Sequence, residues 1–150
     1  MTPSSPPLHQ HRVRLSYADT DPAGILYYAA WFPKMEALQS EFLFLQGLRQ
    51  DTLAEKYGWW TVSRATRCDY LAAAKLFDEI DIELRLGHIG ASSFRFDFEM
   101  RRVSDSVLVA RSANIAVTVD LNQKAIRIPP ELRERLDGWL DETHARRGDR

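Results

Sequence analysis

Hydrophobic residues in the second half of the chain recur every two positions, which is the spacing of a β-strand with one buried face. The clearest case is Phe94, Phe96, Phe98 and Met100, which alternate with charged residues in a strand predicted at residues 92–103. Other strands are predicted at residues 13–17, 59–69, 79–88 and 107–120. Because short turns separate the last three strands, we expect them to form antiparallel hairpins.

Between the first two predicted strands, the hydrophobic spacing changes to that of a helix. Apolar side chains from Phe32 to Leu45 fall at steps of three and four residues. The helix is predicted to begin between residues 28 and 32, because Pro33 fits only a first turn, and Gly47 is a natural residue just beyond its end. Apolar residues on other faces indicate a helix that is wrapped by the sheet or buried between subunits.

The remaining helical signals are short. A helical turn is predicted at residues 53–57, and a proline pair opens a C-terminal helix at residues 131–140. One strand, one long helix and four more strands predict an α+β fold, in which a curved five-stranded antiparallel sheet wraps a single central helix. The open edges of such a sheet favour pairing with a second subunit.

Length and composition are those of one ordinary globular domain. The chain has 150 residues, of which 45% are hydrophobic and 27% charged. A single domain is predicted at residues 11–140. The proline-rich residues 1–10 are predicted to be a disordered tail, and residues 141–150 a frayed C-terminal tail.

Charge and composition exclude several classes of function. A net charge of −1 gives no electrostatic reason to expect nucleic acid or a membrane as partner. Cys68 is the single cysteine, no apolar run could span a bilayer, and no secretory signal is recognisable, so a cytoplasmic location is expected. His9 and His11 have no cysteine or carboxylate at ligand spacing, so we predict no metal site and interpret both as solvated tail residues.

The stretch between the first strand and the helix carries the candidate chemistry. Residues 19–24 read DTDPAG, a turn-forming sequence, and the helix follows within a few residues. Free N–H groups at a helix N-terminus stabilise negative charge, including a developing oxyanion. A carboxylate beside such a site suggests acyl chemistry. Taken alone, Asp21 is better explained as an Asx turn or helix cap than as a catalytic group, and Asp19 is interpreted as a turn-former.

The strand, the stretch DTDPAGILYY, the helix and the later strands together resemble the 4-hydroxybenzoyl-CoA thioesterase family of hotdog-fold enzymes. The match covers residues 11–136 and is sharpest at residues 19–28. Weaker matches follow in order, at residues 68–80 and 117–129. The resemblance implies a hotdog fold, hydrolysis of a small-molecule acyl-CoA substrate without a further cofactor, and a homotetramer, whereas the open sheet edges and the apolar helix predict at least a dimer.

The same resemblance implies roles for two residues. Asp21 would be the catalytic carboxylate, and whether it acts as nucleophile or as general base stays open. The backbone N–H near Tyr28 would polarise the thioester carbonyl. Tyrosine at this position resembles the hydroxybenzoyl-CoA branch, whereas many relatives for short aliphatic acyl groups have histidine, so an aromatic acyl group is expected.

Candidate substrate-binding side chains come from two stretches. Tyr27 and Trp31 flank the start of the helix, and core packing is the better explanation for Trp31. Relatives bring side chains of the second strand to the site from a neighbouring subunit, and the candidates there are Trp60, Ser63 and Thr66. For the phosphates of CoA the candidates are Arg64, Arg67, Lys75, Arg95, Arg101 and Arg102, each of which is also explained as a solvated charge.

Other functions remain open. A non-catalytic acyl-CoA-binding module would keep the pocket and use Asp21 only as a turn residue. A thioesterase for short aliphatic acyl groups would keep Asp21 but not the aromatic preference. Hotdog folds also include dehydratases, which need a histidine–acid pair, and His88 is the only internal histidine that the sequence offers for one.

Overall fold

The computed structural model describes residues 5–144. The strands and helices, in chain order, are β1 His9–Arg14, α1 Trp31–Leu45, α2 Leu53–Tyr57, β2 Trp59–Tyr70, β3 Glu79–Ile89, β4 Ser93–Arg102, β5 Leu108–Asp120 and α3 Pro130–His144. The predicted tails at residues 1–4 and 145–150 lie outside the described residues. Within residues 5–144, no helix is long and apolar enough to cross a membrane.

All five strands belong to one antiparallel sheet with the order β1-β3-β4-β5-β2. The predicted hairpins β3–β4 and β4–β5 are confirmed. The strand that follows the central helix, β2, pairs with β5 at the far side of the sheet. As a result β1 and β2 are the two edges, and α1 connects one edge to the other. The predicted α+β class and five-stranded antiparallel sheet are confirmed.

The core lies between α1, α3 and the apolar face of the sheet. Every apolar side chain of β4 is buried, as its two-residue period predicts. Phe42 of α1 packs edge-on against Phe96 of β4 and against Trp139 of α3, with ring centroids 6.2 and 4.9 Å apart. Edge-to-face aromatic pairs contribute about 0.5–1.5 kcal/mol each beyond the area that they bury. These contacts hold α1 against the sheet.

Both ends of α1 agree with the sequence prediction. The helix begins at Trp31, so Pro33 lies in its first turn, where no intrahelical hydrogen bond is lost. At the other end, Gly47 adopts the left-handed conformation with φ +80°. The Leu48 N–H donates to the Leu43 carbonyl at 2.9 Å, which is the 6→1 hydrogen bond of a Schellman motif.

The first strand is displaced relative to its prediction. It was predicted at residues 13–17, whereas β1 ends at Arg14 and Tyr17 is 76% exposed in a single 3-10 turn. The cause is local, because the Asp19 carboxylate accepts a hydrogen bond from the Ser16 N–H at 2.8 Å and thereby stabilises a turn in place of further strand.

The folded part of the chain also extends further towards both ends than the sequence predicted. The carbonyl of Ser5 accepts two hydrogen bonds from the buried Arg85 guanidinium, at 3.1 and 2.6 Å, so the chain packs on the sheet from that residue onward. The predicted disordered tail, residues 1–10, therefore overlaps both this contact and the start of β1. Similarly, α3 continues to His144, beyond the predicted end at residue 140.

Candidate active site

The loop that precedes α1 is a small hairpin with its own hydrogen bonds. The Tyr27 N–H donates to the Asp19 carbonyl at 3.0 Å, and the Asp21 N–H donates to the Ile25 carbonyl at 2.9 Å. Gly24 closes the turn with φ +76°, a conformation that glycine adopts without steric cost. These bonds fix the position of Asp21 relative to the residues that lead into the helix.

Within this loop, both carboxylate oxygens of Asp19 have protein partners. It accepts hydrogen bonds from the N–H and hydroxyl of Ser16, and Lys34 Nζ of α1 lies 3.0 Å from its other oxygen. Burial by itself raises the pKa of Asp19, but the Ser16 hydrogen bonds and the Lys34 charge outweigh burial and hold this pKa below its ordinary value. Asp19 therefore ties the loop to α1, which is the turn-forming role that the sequence predicted.

Only one of the two carboxylate oxygens of Asp21 has a protein partner within the described residues. Its Oδ1 accepts a hydrogen bond from the Ala23 N–H at 2.8 Å, which makes an Asx turn. Its Oδ2 has neither a hydrogen bond nor an ion pair to any residue from Ser5 to His144. The side chain is half-buried and carries one carboxylate oxygen that is available to a ligand or a water molecule.

The N-terminus of α1 presents free donors. The residue before the helix, Ala30, supplies no side-chain acceptor. The N–H groups of Tyr28, Ala29 and Trp31 have no acceptor in the part of the chain that the structure describes. Together with the positive end of the helix dipole, these groups can stabilise an anionic oxygen.

A cavity of about 420 Å³ lies beside these donors. Its walls are formed by Ile25, Leu26, Tyr28, Trp31 and residues 70–74. The Tyr70 hydroxyl donates to the Tyr28 carbonyl. Burial, and then the neighbouring Cys68 thiol, raise the pKa of Tyr70 to about 12, so this hydroxyl remains a donor at neutral pH. The cavity is large enough for a small acyl group.

A second cavity, of about 330 Å³, lies between α1 and β2. It is lined by Phe32, Met35, Glu36, Gln39, Ser63, Thr66 and Asn114. The Asn114 amide donates to Gln39 Oε1 at 2.9 Å, and the Thr66 hydroxyl donates to Asn114 Oδ1 at 3.3 Å. Sequence reasoning missed Gln39 and Asn114. The available signal was a polar residue at a buried position in the apolar alternation of β5.

Four of the seven predicted site residues line one or the other of these two cavities. Tyr28 and Trp31 line the first, where Trp31 is also part of the core at 1% exposure, and Ser63 and Thr66 line the second. Neither cavity is lined by Asp21, Tyr27 or Trp60. A single chain thus does not bring all the candidates into one pocket.

Most of the candidate phosphate ligands already have acidic partners. Paired are Arg67 with Asp69 at 3.3 Å, Arg95 with Asp97 at 2.7 Å, Arg102 with Asp105 at 3.0 Å, and Arg101 with Glu99. Within residues 5–144, Arg64 and Lys75 have no acidic partner. Lys75 is adjacent to the first cavity, since it forms a β-bridge with Ile25 of its wall.

Known proteins are similar to this chain in both sequence and fold. Residues 15–136 match the thioesterase-like superfamily. The acyl-CoA thioesterase YbgC of Haemophilus influenzae is 28% identical over 122 residues, which are 81% of this chain and 88% of that protein.

Two solved structures confirm the fold. Slr0204, a 1,4-dihydroxy-2-naphthoyl-CoA thioesterase from Synechocystis, superposes with a TM-score of 0.76 over 86% of this chain and 95% of its own, at 19% identity. The gentisyl-coenzyme A thioesterase BH1999 gives a TM-score of 0.69 over 83% and 98% of the two chains, at 20% identity. These likenesses confirm the predicted hotdog fold. Since the family match spans most of the chain, this protein belongs to the thioesterase-like superfamily.

Proposed function

We propose that this protein is an acyl-CoA thioesterase that hydrolyses a small aromatic acyl-CoA to the free acid and CoA. The observation that carries the proposal is the combination of a free carboxylate oxygen on Asp21 with unpaired N–H groups at the N-terminus of α1. Membership of the thioesterase-like superfamily and the likeness to an acyl-CoA thioesterase support hydrolysis of a thioester.

The two groups supply what thioester hydrolysis needs. The substrate carbonyl oxygen accepts hydrogen bonds from N–H groups near Tyr28, which stabilise the negative charge that develops on that oxygen. Asp21 Oδ2 either takes a proton from the attacking water or attacks the carbonyl itself to form a mixed anhydride that water then cleaves. In either case the C–S bond breaks and the CoA thiolate leaves. No cofactor enters this scheme.

The lining of the first cavity supports an aromatic acyl group. The rings of Tyr27 and Tyr28 lie edge-to-face at 6.1 Å, and Tyr28 and Tyr70 contribute to the cavity wall. Aromatic side chains favour aromatic ligands through edge-to-face or offset contacts. Slr0204 and BH1999, which share this fold, are described as acting on dihydroxynaphthoyl-CoA and gentisyl-CoA, both of which carry aromatic acyl groups.

For the nucleotide end of CoA we propose Lys75 and Arg64. Both side chains are exposed and have no acidic partner within the described residues, whereas the other candidates are paired. Lys75 adjoins the first cavity and Arg64 lies on the edge strand β2, and each offers a free cation for a charge-assisted hydrogen bond to a phosphate.

We also propose that the active enzyme is a homo-oligomer, at least a dimer, which would allow a tetramer of two dimers. β2 is an edge strand of 12 residues, and residues 62–67 are exposed along it. Pairing of two copies along β2 would bring Trp60, Ser63 and Thr66 of one copy towards Asp21 of the other. It would also account for the division of the candidates between two cavities. A monomeric mass at micromolar concentration would contradict this assembly.

The activity is tested by thiol release from benzoyl-CoA, hydroxybenzoyl-CoA, a short aliphatic and a long aliphatic acyl-CoA. We expect fast release from the aromatic substrates and a loss of about 10²–10⁴-fold in kcat for Asp21→Asn, because the carboxylate is the base or nucleophile. The matched control is Asp51→Asn, which changes an exposed aspartate paired with Arg49 outside both cavities and should retain full turnover.

The other outcomes of this assay separate the alternatives. A preference for aliphatic substrates would retain Asp21 as the catalytic group but exclude the aromatic specificity. Absence of thiol release from all four substrates, with acyl-CoA affinity equal in the wild type and Asp21→Asn, would favour the non-catalytic binding module.

A further inference from the structure

Two histidines and a glutamate meet on the C-terminal half of α1, away from the candidate active site. His9 and His11 were predicted to be solvated tail residues without a carboxylate partner, and this prediction is wrong. Both lie on β1, and Glu41 of α1 contacts both of them. The sequence did not indicate Glu41 as their partner, because about 30 residues separate it from the histidines. We refer to these three residues as the His9–His11–Glu41 cluster.

The three side chains present their ligand atoms to one point. Residues two apart on a strand point to the same side, so both imidazole rings of β1 face α1. His9 Nε2 lies 2.5 Å from Glu41 Oε2, and His11 Nε2 contacts the same oxygen. All three ligand atoms lie within 4.8 Å of one another.

Packing holds the cluster in place while leaving it accessible. The His9 ring lies 5.4 Å from the His11 ring and 6.4 Å from the ring of the buried Phe42. β1 is itself paired with β3 along its whole length. The histidine side chains are 25% exposed and that of Glu41 is 48% exposed, so an ion can reach the cluster from solvent and keep a water ligand.

We propose that the His9–His11–Glu41 cluster binds one divalent transition-metal ion, with Zn²⁺ as the best fit. Two imidazole nitrogens and one carboxylate are a common ligand set for Zn²⁺, with water in the fourth position, whereas Mg²⁺ and Ca²⁺ prefer oxygen ligands throughout. Zn–N and Zn–O bonds of roughly 2.0–2.2 Å in a tetrahedral site place ligand atoms about 3.3–3.6 Å apart. The exposed Glu41 side chain reaches this spacing by withdrawing about 1 Å.

A metal at this place would act on the fold. It would join the edge strand β1 to the central helix, and an ion that binds only the folded chain stabilises that state in proportion to its affinity. Glu41 lies ten residues from Trp31, which is about 15 Å along a helix, so the ion would be remote from the free donors at the N-terminus of α1.

The test is binding of Zn²⁺ alone to the full chain at neutral pH, measured by calorimetry, with the visible absorption of Co²⁺ as a report on tetrahedral geometry. We expect one ion per chain and a rise in Tm. His9→Ala, His11→Ala and Glu41→Gln should each weaken affinity by about tenfold or more and abolish the rise in Tm, because each removes a ligand.

The matched control is His88→Ala, which removes an exposed histidine on β3 outside the cluster and should leave affinity and the rise in Tm unchanged. Glu41→Gln keeps the size of an exposed helical side chain, so its result does not depend on tolerance of a large substitution. Absence of stoichiometric Zn²⁺ binding would overturn the proposal. Affinity that is equal in the wild type and all three cluster variants would also overturn it.

Discussion

The two ends of α1 are built in opposite ways. At the C-terminus, the Gly47 and Leu48 N–H groups bond to carbonyls of the last turn, and Arg135 of α3 donates to the Gln46 carbonyl at 2.6 Å. At the N-terminus, the N–H groups of Tyr28, Ala29 and Trp31 have no acceptor within the described residues. The N-terminal N–H groups of a helix bond to caps, water or ligands, so these free donors beside the first cavity are available to a carbonyl oxygen.

The sequence places no capping side chain at that end. The residue before the helix, Ala30, has helical φ and ψ of -67° and -22° and offers no side-chain acceptor, whereas a capping residue has extended φ and ψ. Instead the nearby acidic residues lie in the loop, where Asp19 bonds to Ser16 and Lys34, and Asp21 keeps one oxygen free. Asp21 Oδ2 and the free N–H groups bond neither to each other nor to another group within residues 5–144, so both are available to a polarised carbonyl.

Among the variants that compare the two ends of α1, the largest effect should come from removing a donor at the unsatisfied end. Tyr28→Pro deletes the backbone N–H that we propose to bind the oxyanion, and loss of one such donor lowers kcat by about 10²–10³-fold. The matched control is Tyr28→Ala, which removes the same ring but keeps the N–H. Steady-state hydrolysis of the preferred acyl-CoA measures both. Equal losses of kcat in the two variants would contradict a role for the N–H.

A smaller effect is expected for Asp19, the occupied carboxylate of the same loop. Asp19→Asn should lower the free energy of unfolding by about 1–2 kcal/mol at neutral pH, because it weakens charge-assisted hydrogen bonds. The pKa of Asp19 is lowered in the folded protein, so its contribution is complete above the unfolded-state pKa near 4 and is lost as the pH falls through the folded-state pKa. Urea unfolding at neutral and acid pH measures the difference.

Measurement of kcat should distinguish the role of Asp19 from the role of Asp21. Asp19→Asn should keep kcat within a few-fold, because its carboxylate is committed to Ser16 and Lys34. A stability difference between wild type and Asp19→Asn that stays constant from neutral to acid pH would show that the carboxylate charge is not the stabilising feature.

The features that could be predicted from the sequence depend on residues that are close together in the chain. The two-residue period of β4 and the position of Pro33 each report on a few neighbouring residues, and the structure agrees with both. The turn around Asp21 is local in the same sense, since Asp21 bonds to Ala23, Gly24 and Ile25, although the Gly24 carbonyl also accepts a hydrogen bond from the distant Leu76 N–H. For this reason the loop and the start of the helix could be predicted before the fold was known.

Long-range contacts explain what the sequence could not predict. The pairing of β2 with β5, the contact of Asn114 with Gln39 and the approach of Glu41 to the histidines of β1 each join residues far apart in the chain. No periodicity or turn residue reports such a contact. The first strand was misplaced for a related reason, because one side-chain hydrogen bond from Ser16 to Asp19 ends the extended conformation.

The smallest effect concerns the closed end of α1. Gly47 has φ +80°, and a Cβ there would meet nothing closer than an Arg135 nitrogen at 4.0 Å, so Gly47→Ala costs only the left-handed conformation, about 1 kcal/mol. The matched control is Gly138→Ala inside α3, where no atom lies within 4 Å and alanine should stabilise by up to about 1 kcal/mol. Urea unfolding should therefore give opposite signs, with thioester hydrolysis unchanged in both variants. A loss of turnover in Gly47→Ala would show that the closed end of the helix is coupled to the site at the other end.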